Sequence, residues 1–391
     1  MELPAVVSQI GFRDRERAQQ TLAQVMQRVP AGVREALPTL LADSPDPDTA
    51  LNYFERLSSA EHAEALRLLE RNRPLVHYAV ALFGYSPWLG ETLLQNADLF
   101  HGLARDRNLE RSHSREDYRE SFARFRSRSF ETDSALLLAR FKRREYVRIL
   151  LRDVLGIATL AESTAEISAL ADVLIEEALR HTDQQMRNRF GPPQRVDAHG
   201  RLLDVPFTVL SLGKLGGNEL NYSSDIDLMF LHGDGEPEES REVSNHEYFV
   251  RLAQQTTEVL SRVTSEGAVF RIDLRLRPQG TEGEPAVGVS QALRYYSEAA
   301  HDWELQAMIK VRHSAGDVAL AREFIRAVQP HVYRGSGAKD AKQLNFAAIE
   351  TALRTREKIG ASRRRKAALR PAESTLDVKL DRGGIRDIEF L

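Results

Sequence analysis

The sequence predicts an α+β protein in which a small sheet-bearing domain, at roughly 200–300, is set between helical regions. Three observations predict it. Only six of the 23 glycines precede Gly191, and glycine costs roughly 1 kcal/mol against alanine inside a helix, so the first half reads as mostly helical. Apolar residues in that half recur at helical spacing. From Val205 the pattern changes to short β-branched and apolar runs bounded by glycine or by a helical stretch.

The elements follow in order. SPDPDTALNYFERL starts a helix after a proline-punctuated loop at Asp43–Asp48. In YSPWLGETLLQNADLF, Leu89, Leu93, Leu94 and Leu99 form a core stripe. ALLLARFKRREYVRILLRDVLG repeats Leu137, Phe141, Tyr146, Ile149, Leu150 and Val154 at helical intervals and leaves arginine and lysine between them. Those cations read as a solvated helix face, the alternative being a surface that meets an anion. Asp133 or Ser134 caps this helix, and Gly156 ends it. The next helix runs from about Ala165 to Arg189, with Ile167, Leu170, Leu174, Ala178 and Met186 inward, and stops at Gly191-Pro192-Pro193. VPFTVLSLG is a buried strand. SSDIDLMFLH is a second, with Ile226, Leu228 and Phe230 on one face. HEYFVRLAQQTTEVLSRV returns to helix through Phe249, Leu252, Thr256, Val259 and Val263. AVFRIDLRLRP alternates as a third strand, with Arg271, Asp273, Arg275 and Arg277 opposite Phe270, Ile272, Leu274 and Leu276. Residues ~301–391 read as helical again, apart from a polar loop around Arg334–Lys342.

Composition narrows the function. A chain of 391 residues holds two or three domains at ~150 residues each. Lys plus Arg is 54 against 57 Asp plus Glu, a net charge of −3, which excludes a protein carried onto nucleic acid by bulk charge. The absence of cysteine excludes disulfides, thiolate metal sites and a thiol nucleophile. MELPAVVSQIGFRDRER has neither the basic start nor the apolar run of a signal peptide, and no stretch has the ~20 apolar residues of a membrane span. A cytoplasmic protein without a membrane or nucleic-acid partner is expected.

The chemistry concentrates in one ordered set. Asp225 and Asp227 lie two apart on a strand, so their side chains face the same way with Cα atoms ~6.6 Å apart. Paired carboxylates suit a hard divalent cation such as Mg²⁺, which takes oxygen ligands and keeps positions for water and phosphate. Asp273 can add a third carboxylate if its strand is a neighbour. Three such groups can hold two metals ~3.5–4 Å apart, the arrangement that clamps attacking and leaving oxygens in phosphoryl transfer. Upstream, in GKLGGNELNYS, Gly213 ends the first strand and opens a short helix whose backbone N–H groups can receive a phosphate. It is not a Walker A loop: the upstream glycine is missing, and neither Ser nor Thr follows Lys214. None of the 11 histidines has metal-ligand spacing. Glycine turn and D-x-D are weak signals alone, but in this order, with an aspartate on a third strand, they are specific.

The same order resembles the nucleotidyltransferase superfamily of DNA polymerase β. More closely, LGKLGGNELNYSSDIDLMF, FRIDLRLRPQGTEG, YYSEAAHDWELQAMIKVR and VKLDRGGIRDIEF resemble signature blocks of bifunctional glutamine synthetase adenylyltransferase/adenylyl-removing enzymes, and SPWLGETLLQNADL and ARFKRREYVRILLRDVLG resemble their helical blocks. The resemblance runs from about residue 45 to the end. It implies a polymerase β-like core over 161–310, a small mixed sheet with helices, flanked by helical domains at 1–160 and 311–391. It further implies that Asp225, Asp227 and Asp273 are the catalytic ligands of two Mg²⁺ or Mn²⁺ ions. Gly213, Lys214, Gly216 and Gly217 would cradle the phosphate of an adenine nucleotide. Ser223 and Ser224 would contact phosphate or a metal-bound water, or simply form a turn. Arg275 and Arg277 would bind inorganic phosphate or pair with the aspartates. Arg382 and Arg386 would reach the site, while Tyr296 and Trp303 pack in the core.

The half it most resembles removes AMP from a tyrosine of glutamine synthetase by phosphorolysis, phosphate in and ADP out, in the control of nitrogen assimilation. Adenylylated glutamine synthetase, a PII signal protein and a C-terminal adenylyltransferase half of the same chain are the partners implied. Two alternatives stand beside it: adenylyl transfer from ATP to a protein tyrosine, and a catalytically silent module that docks glutamine synthetase or PII. RGSGAKDAKQLNF is longer and more polar than the family's connection there, and Asp381-Arg382 replaces a glycine-containing link before Gly383-Gly384. Ending inside the apolar IEFL, the chain reads as one functional half of a larger protein.

Overall fold

The structure is a computed structural model that describes residues 10–105, 109–235 and 242–334. The DRGGIRDIEF block with Arg382 and Arg386, and the polar segment after Arg334, lie outside the described residues. The chain divides into two compact units. The first holds residues up to Leu174 with Asn218–Ser223 and Arg262–Val269; the second holds Ile175–Gly217, Ser224–Ser261 and the chain from Phe270 onward.

The first unit is helical. Its helices are α1 (Arg15–Arg28), α2 (Ala31–Ala42), α3 (Pro47–Leu57), α4 (Ala63–Arg71), α5 (Arg73–Tyr85), α6 (Pro87–Gln95), α7 (Leu99–Arg105), α8 (Arg115–Arg128), α9 (Ser134–Val154) and the start of α10 (Leu160–Phe190). Their ends follow side-chain chemistry. Asp46 caps α3, accepting from the Thr49 amide at 3.1 Å, with Pro47 as first residue, where its missing N–H costs nothing. Asp133 caps α9 through the Ala135 amide at 2.9 Å. Ser114 and Asp117 cap α8 reciprocally. The core joins α1 to α7 through residues such as Leu22, Leu37, Phe54, Phe83 and Phe100, and Val147 and Leu151 of α9 pack into it.

The cations of α9 do not all form a solvated face. Arg148 and Arg152 are buried because Glu166 of α10 is buried with them. Its carboxylate accepts from Arg148 Nη1 at 2.6 Å, from Arg152 Nη1, from the Tyr118 hydroxyl at 3.1 Å and from the His113 amide at 2.8 Å. Spacing along α9 cannot reveal this, since the carboxylate comes from another helix.

The second unit contains the sheet. Its strands are β1 (Gln194–Val196), β2 (Leu202–Asp204), β3 (Phe207–Ser211), β4 (Ile226–His232), β5 (Ile272–Asp273), β6 (Ala286–Gly288) and β7 (Arg312–Gly316); its further helices are α11 (Gly213–Gly216), α12 (Asn245–Ser261), α13 (Val289–Glu298), α14 (Asp302–Ala307) and α15 (Val318–Arg334). β1 and β2 form a separate antiparallel hairpin. β4 is central: it pairs antiparallel with β3 along one edge and parallel with β5 and then β6 along the other, while β7 covers the far edge of β3. Leu210, Met229 and Leu231 face Tyr296 and Phe324 of α13 and α15. On the opposite face Phe207 stacks on Phe230 and on Phe249 of α12. The architecture is α+β, a small mixed sheet together with many helices.

Four expectations need correction. The third strand is only two residues long, because the Asp273 carboxylate accepts the Arg275 amide at 2.8 Å and turns the chain. β7 lies where helix was expected; it satisfies the open edge of β3 and ends at Gly316, whose φ is +77°. Val263 is exposed, since α12 ends at Ser261 and buries Leu260 instead. Trp303 is exposed rather than core; the buried position of α14 goes to Glu304, which accepts from the Tyr295 hydroxyl at 2.6 Å and the His301 amide at 2.9 Å.

Three stability predictions arise here. Glu166→Ala strands two buried guanidinium groups, and urea unfolding should show a loss of about 3–5 kcal/mol. Arg73→Gln, which breaks an exposed pair with Glu35, should change stability by less than about 1 kcal/mol. Equal effects would rule out the buried network as a stabilising centre. Asp117 is held down to about 2 by hydrogen bonds from the Ser114 hydroxyl and amide. Its contribution is therefore complete above the ordinary carboxylate value and disappears as pH falls toward 2. Asp117→Asn should flatten the pH dependence of stability between about 4 and 2, followed by circular dichroism at fixed urea.

Candidate active site

The start of β4 sets the site. Side chains alternate along a strand, so Asp225 and Asp227 share the face of Met229 and Leu231. Met229 and Leu231 are covered by helices; the two aspartates lie where the strand emerges, Asp225 exposed and Asp227 half-buried. Parallel pairing puts Asp273 of β5 directly beside Asp227, and neighbours in register point to the same face. The three predicted carboxylates are thus gathered on one edge of one sheet. The backbone fixes them there: Leu212 N–H donates to Asp227 C=O at 3.0 Å, and Ile226 N–H donates to Arg271 C=O at 2.9 Å.

Arginines neutralise the cluster. Arg271 pairs with Asp225. Arg275 folds back on Asp273, its Nε 2.9 and 3.0 Å from the two carboxylate oxygens. Hydrogen bonding from Arg275 holds the Asp273 carboxyl below the ordinary carboxylate range against an opposing burial effect. Asp273 in turn raises Arg275, with smaller contributions from Asp227 and Asp225, so one guanidinium feels all three carboxylates. Arg277 points its guanidinium at the carbonyls of Gly283, Leu274 and Thr281, at 2.7–3.2 Å, and braces the loop after β5. Burial pulls Arg277 below its usual value while Asp273 pulls the other way. Arg271 was present in the alternating pattern on the Asp273 side, and that alternation was the available signal for it.

The glycine turn packs against the carboxylates. Gly213 has φ +55°, and a methyl group there would run into the Asp227 carboxylate. A methyl at Gly216 would collide with the Lys310 carbonyl, so the second glycine is required by close backbone packing. Gly217 is exposed at the end of α11, donating to Gly213 C=O at 3.0 Å, and Lys214 is half-buried within α11. Arg312, which the sequence reading missed, donates to Leu215 C=O at 2.9 and 3.1 Å and anchors α11 to β7. Ser224 is half-buried just before Asp225; Ser223 is exposed and belongs to the Asn218–Ser223 segment of the helical unit.

The donor set consists of carboxylate oxygens, which match Mg²⁺ or Mn²⁺ in chemistry. As they stand, no three His, Cys, Asp or Glu side chains among the described residues are disposed to hold a metal ion. Asp225 and Asp273 are paired with Arg271 and Arg275. A cation at the site must therefore compete with Arg271 and Arg275.

A family model of glutamate–ammonia ligase adenylyltransferases matches residues 76–327, which include the sheet and all three aspartates. The chain belongs to that family. It is 34% identical over 312 residues to the bifunctional glutamine synthetase adenylyltransferase/adenylyl-removing enzyme of Hahella chejuensis, covering 79% of this chain and 31% of that protein. The enzymes of the same name from Pseudomonas aeruginosa and Nitrosococcus oceani are each 35% identical, over 78% and 79% of this chain and 30% and 31% of theirs. The chain thus spans about a third of the length of the curated relatives it matches. Among the described residues, no helix is long and apolar enough to cross a membrane.

The Gly213–Asp227 contact gives a test of the site's geometry. Gly213→Ala and Gly267→Ala both force alanine into a left-handed conformation, at about 1–2 kcal/mol, but open space surrounds Gly267. Gly213→Ala should cost at least about 1 kcal/mol more in urea unfolding, and adding Asp227→Ala should remove that difference. Equal costs in the two single variants would show that the turn does not press on Asp227.

Proposed function

We propose that this chain removes AMP from a tyrosine of adenylylated glutamine synthetase, using inorganic phosphate and releasing ADP. The observation that carries the reading is the register of Asp227 beside Asp273, with Asp225 on the same face and Gly213 against Asp227. A structural sheet edge has no use for three clustered carboxylates, which is why a silent docking module is disfavoured. Phosphorolysis rather than transfer from ATP is supported by the likeness of the sequence blocks to the adenylyl-removing half, and by two exposed arginines beside the carboxylates.

Asp225, Asp227 and Asp273 are the residues that would hold Mg²⁺ or Mn²⁺, which when bound neutralises charge on the phosphodiester and on the departing tyrosine oxygen. The protein's own groups supply the rest. Arg271 and Arg275, released from Asp225 and Asp273, are placed to take the incoming phosphate, for which a guanidinium fork is a bidentate partner. α11, held by Arg312, orients the adenylyl phosphate through its backbone and Lys214. A phosphate oxygen forms a bond to the adenylyl phosphorus and the bond to tyrosine oxygen breaks. The proton carried by hydrogen phosphate ends on that oxygen, so ADP and unmodified tyrosine are the balanced products. Positioning and charge stabilisation dominate such chemistry. Cytoplasmic location and partnership with PII and with an adenylyltransferase half belong to the same proposal.

The test incubates the chain with adenylylated glutamine synthetase, phosphate and Mg²⁺ and measures ADP. Asp225→Asn and Asp227→Asn should each lower the rate roughly 100-fold or more while circular dichroism stays native. Full activity in either variant refutes the assignment. Adenylylation of unmodified enzyme from ATP, without phosphate-dependent ADP release, would support the reverse direction; binding with neither reaction would support the docking module.

A further inference from the structure

The cationic stripe of α9, which the aspartate site leaves unused, faces a cleft in the helical unit. The cleft has a volume of about 850 Å³ and is walled by α7, α8 and α9 together with His113. Arg140, Arg144 and Arg148 enter it at successive i, i+4 positions of α9, and Arg124 and Arg128 do so from α8. Against these five arginines the lining carries two carboxylates, Asp98 and Glu145.

Outside partners offset much of that charge, but unevenly. Glu120 pairs with Arg124, and Glu131 and Glu266 with Arg140. At the back of the cleft Arg144 pairs with Glu145, and Arg148 and Arg152 pair with Glu166. The Arg128 side chain lines the cleft with no hydrogen bond or ion pair among the described residues. Arg144 is held in place: its guanidinium lies over Phe125 and Phe141 at 5.3 and 5.2 Å, and it donates to Ser121 Oγ at 2.7 Å. A fixed, partly exposed guanidinium loses little freedom on binding an anion.

We propose that this cleft binds a diphosphate, either free or as part of a nucleotide. Guanidinium forks match phosphate oxygens bidentately, and charge-assisted hydrogen bonds of this kind are the strong ones. The volume lies in the range of small-ligand sites and exceeds what a bare diphosphate fills, while Phe125 offers an aromatic wall. None of the lining residues belongs to the aspartate site.

Isothermal titration of the full chain with pyrophosphate and with ADP, in EDTA at constant ionic strength, tests this. Saturable binding should weaken about tenfold or more in Arg144→Gln, one charge-assisted contact being worth about that factor, and measurably in Arg128→Gln. Asp227→Asn should leave it unchanged. ADP binding at least tenfold tighter than pyrophosphate identifies a nucleotide site; equal affinity identifies a free diphosphate site. Absence of saturable binding to either probe, unchanged affinity in both arginine variants, or loss of binding in Asp227→Asn would each overturn the proposal. Arg128 is exposed at the end of α8, so Arg128→Gln decides the matter if Arg144→Gln fails to fold.

Discussion

Two carboxylates in register on adjacent parallel strands lie close enough to repel. At about 5 Å and an effective dielectric near 20, the cost is about 3 kcal/mol. The pairing of β4 with β5 imposes this on Asp227 and Asp273, and Asp225 adds a third negative charge on the same face. Much of the surrounding structure reads as a response to that constraint. Arg271 sits on Asp225, and Arg275 doubles back onto Asp273 through both its guanidinium and its amide. The same hydrogen bond, donated by the Arg275 N–H, ends β5 after two residues and sends the chain into the loop that Arg277 braces. Neutralisation and topology are here one event, because the residue that cancels the charge also stops the strand.

Counter-ions of this kind are exchangeable in a way that buried ones are not. Arg271 and Arg275 have side chains 70% and 74% exposed, so water screens their pairs and their release costs little. The carboxylates can thus be stably folded with arginine and still be available to a stronger cation. Gly213 and Gly216 act differently. They remove side chains where backbone must approach Asp227 and Lys310, which fixes the turn as a rigid wall of the site. Glycine richness in this segment therefore measures close packing first, and only through that packing does it bear on phosphate binding.

The legible part of the fold was the part with a local cause. The cap at Asp133, the stop at Gly191, and the buried strands β3 and β4 are each specified by residues within a few positions of one another. The site was legible for a related reason: strand alternation puts Asp225 and Asp227 on one face, and only the adjacency of Asp273 needed the sheet. What escaped had non-local causes. β7 is a strand because β3 has an open edge more than a hundred residues earlier. Trp303 gives up its buried position to Glu304 because Tyr295 supplies a hydroxyl partner. Arg148 and Arg152 are buried because Glu166 arrives from the next helix.

That last case bears on how net charge is read. A sum of −3 over the chain says that acids and bases nearly cancel, but cancellation is a local property, limited by a screening length of about 8–10 Å. The sheet edge concentrates carboxylates and recruits arginine from its own loop. The α8–α9 region concentrates guanidinium groups, five of them lining a cleft whose lining carries two carboxylates. Each excess is tolerated within its own unit only to the extent that geometry leaves room for a mobile ion of the opposite sign. A polar cluster that serves stability alone tends toward internal neutrality, since an unbalanced buried charge costs several kcal/mol. Where neutrality fails beside an open volume, a ligand is the simplest source of the balancing charge.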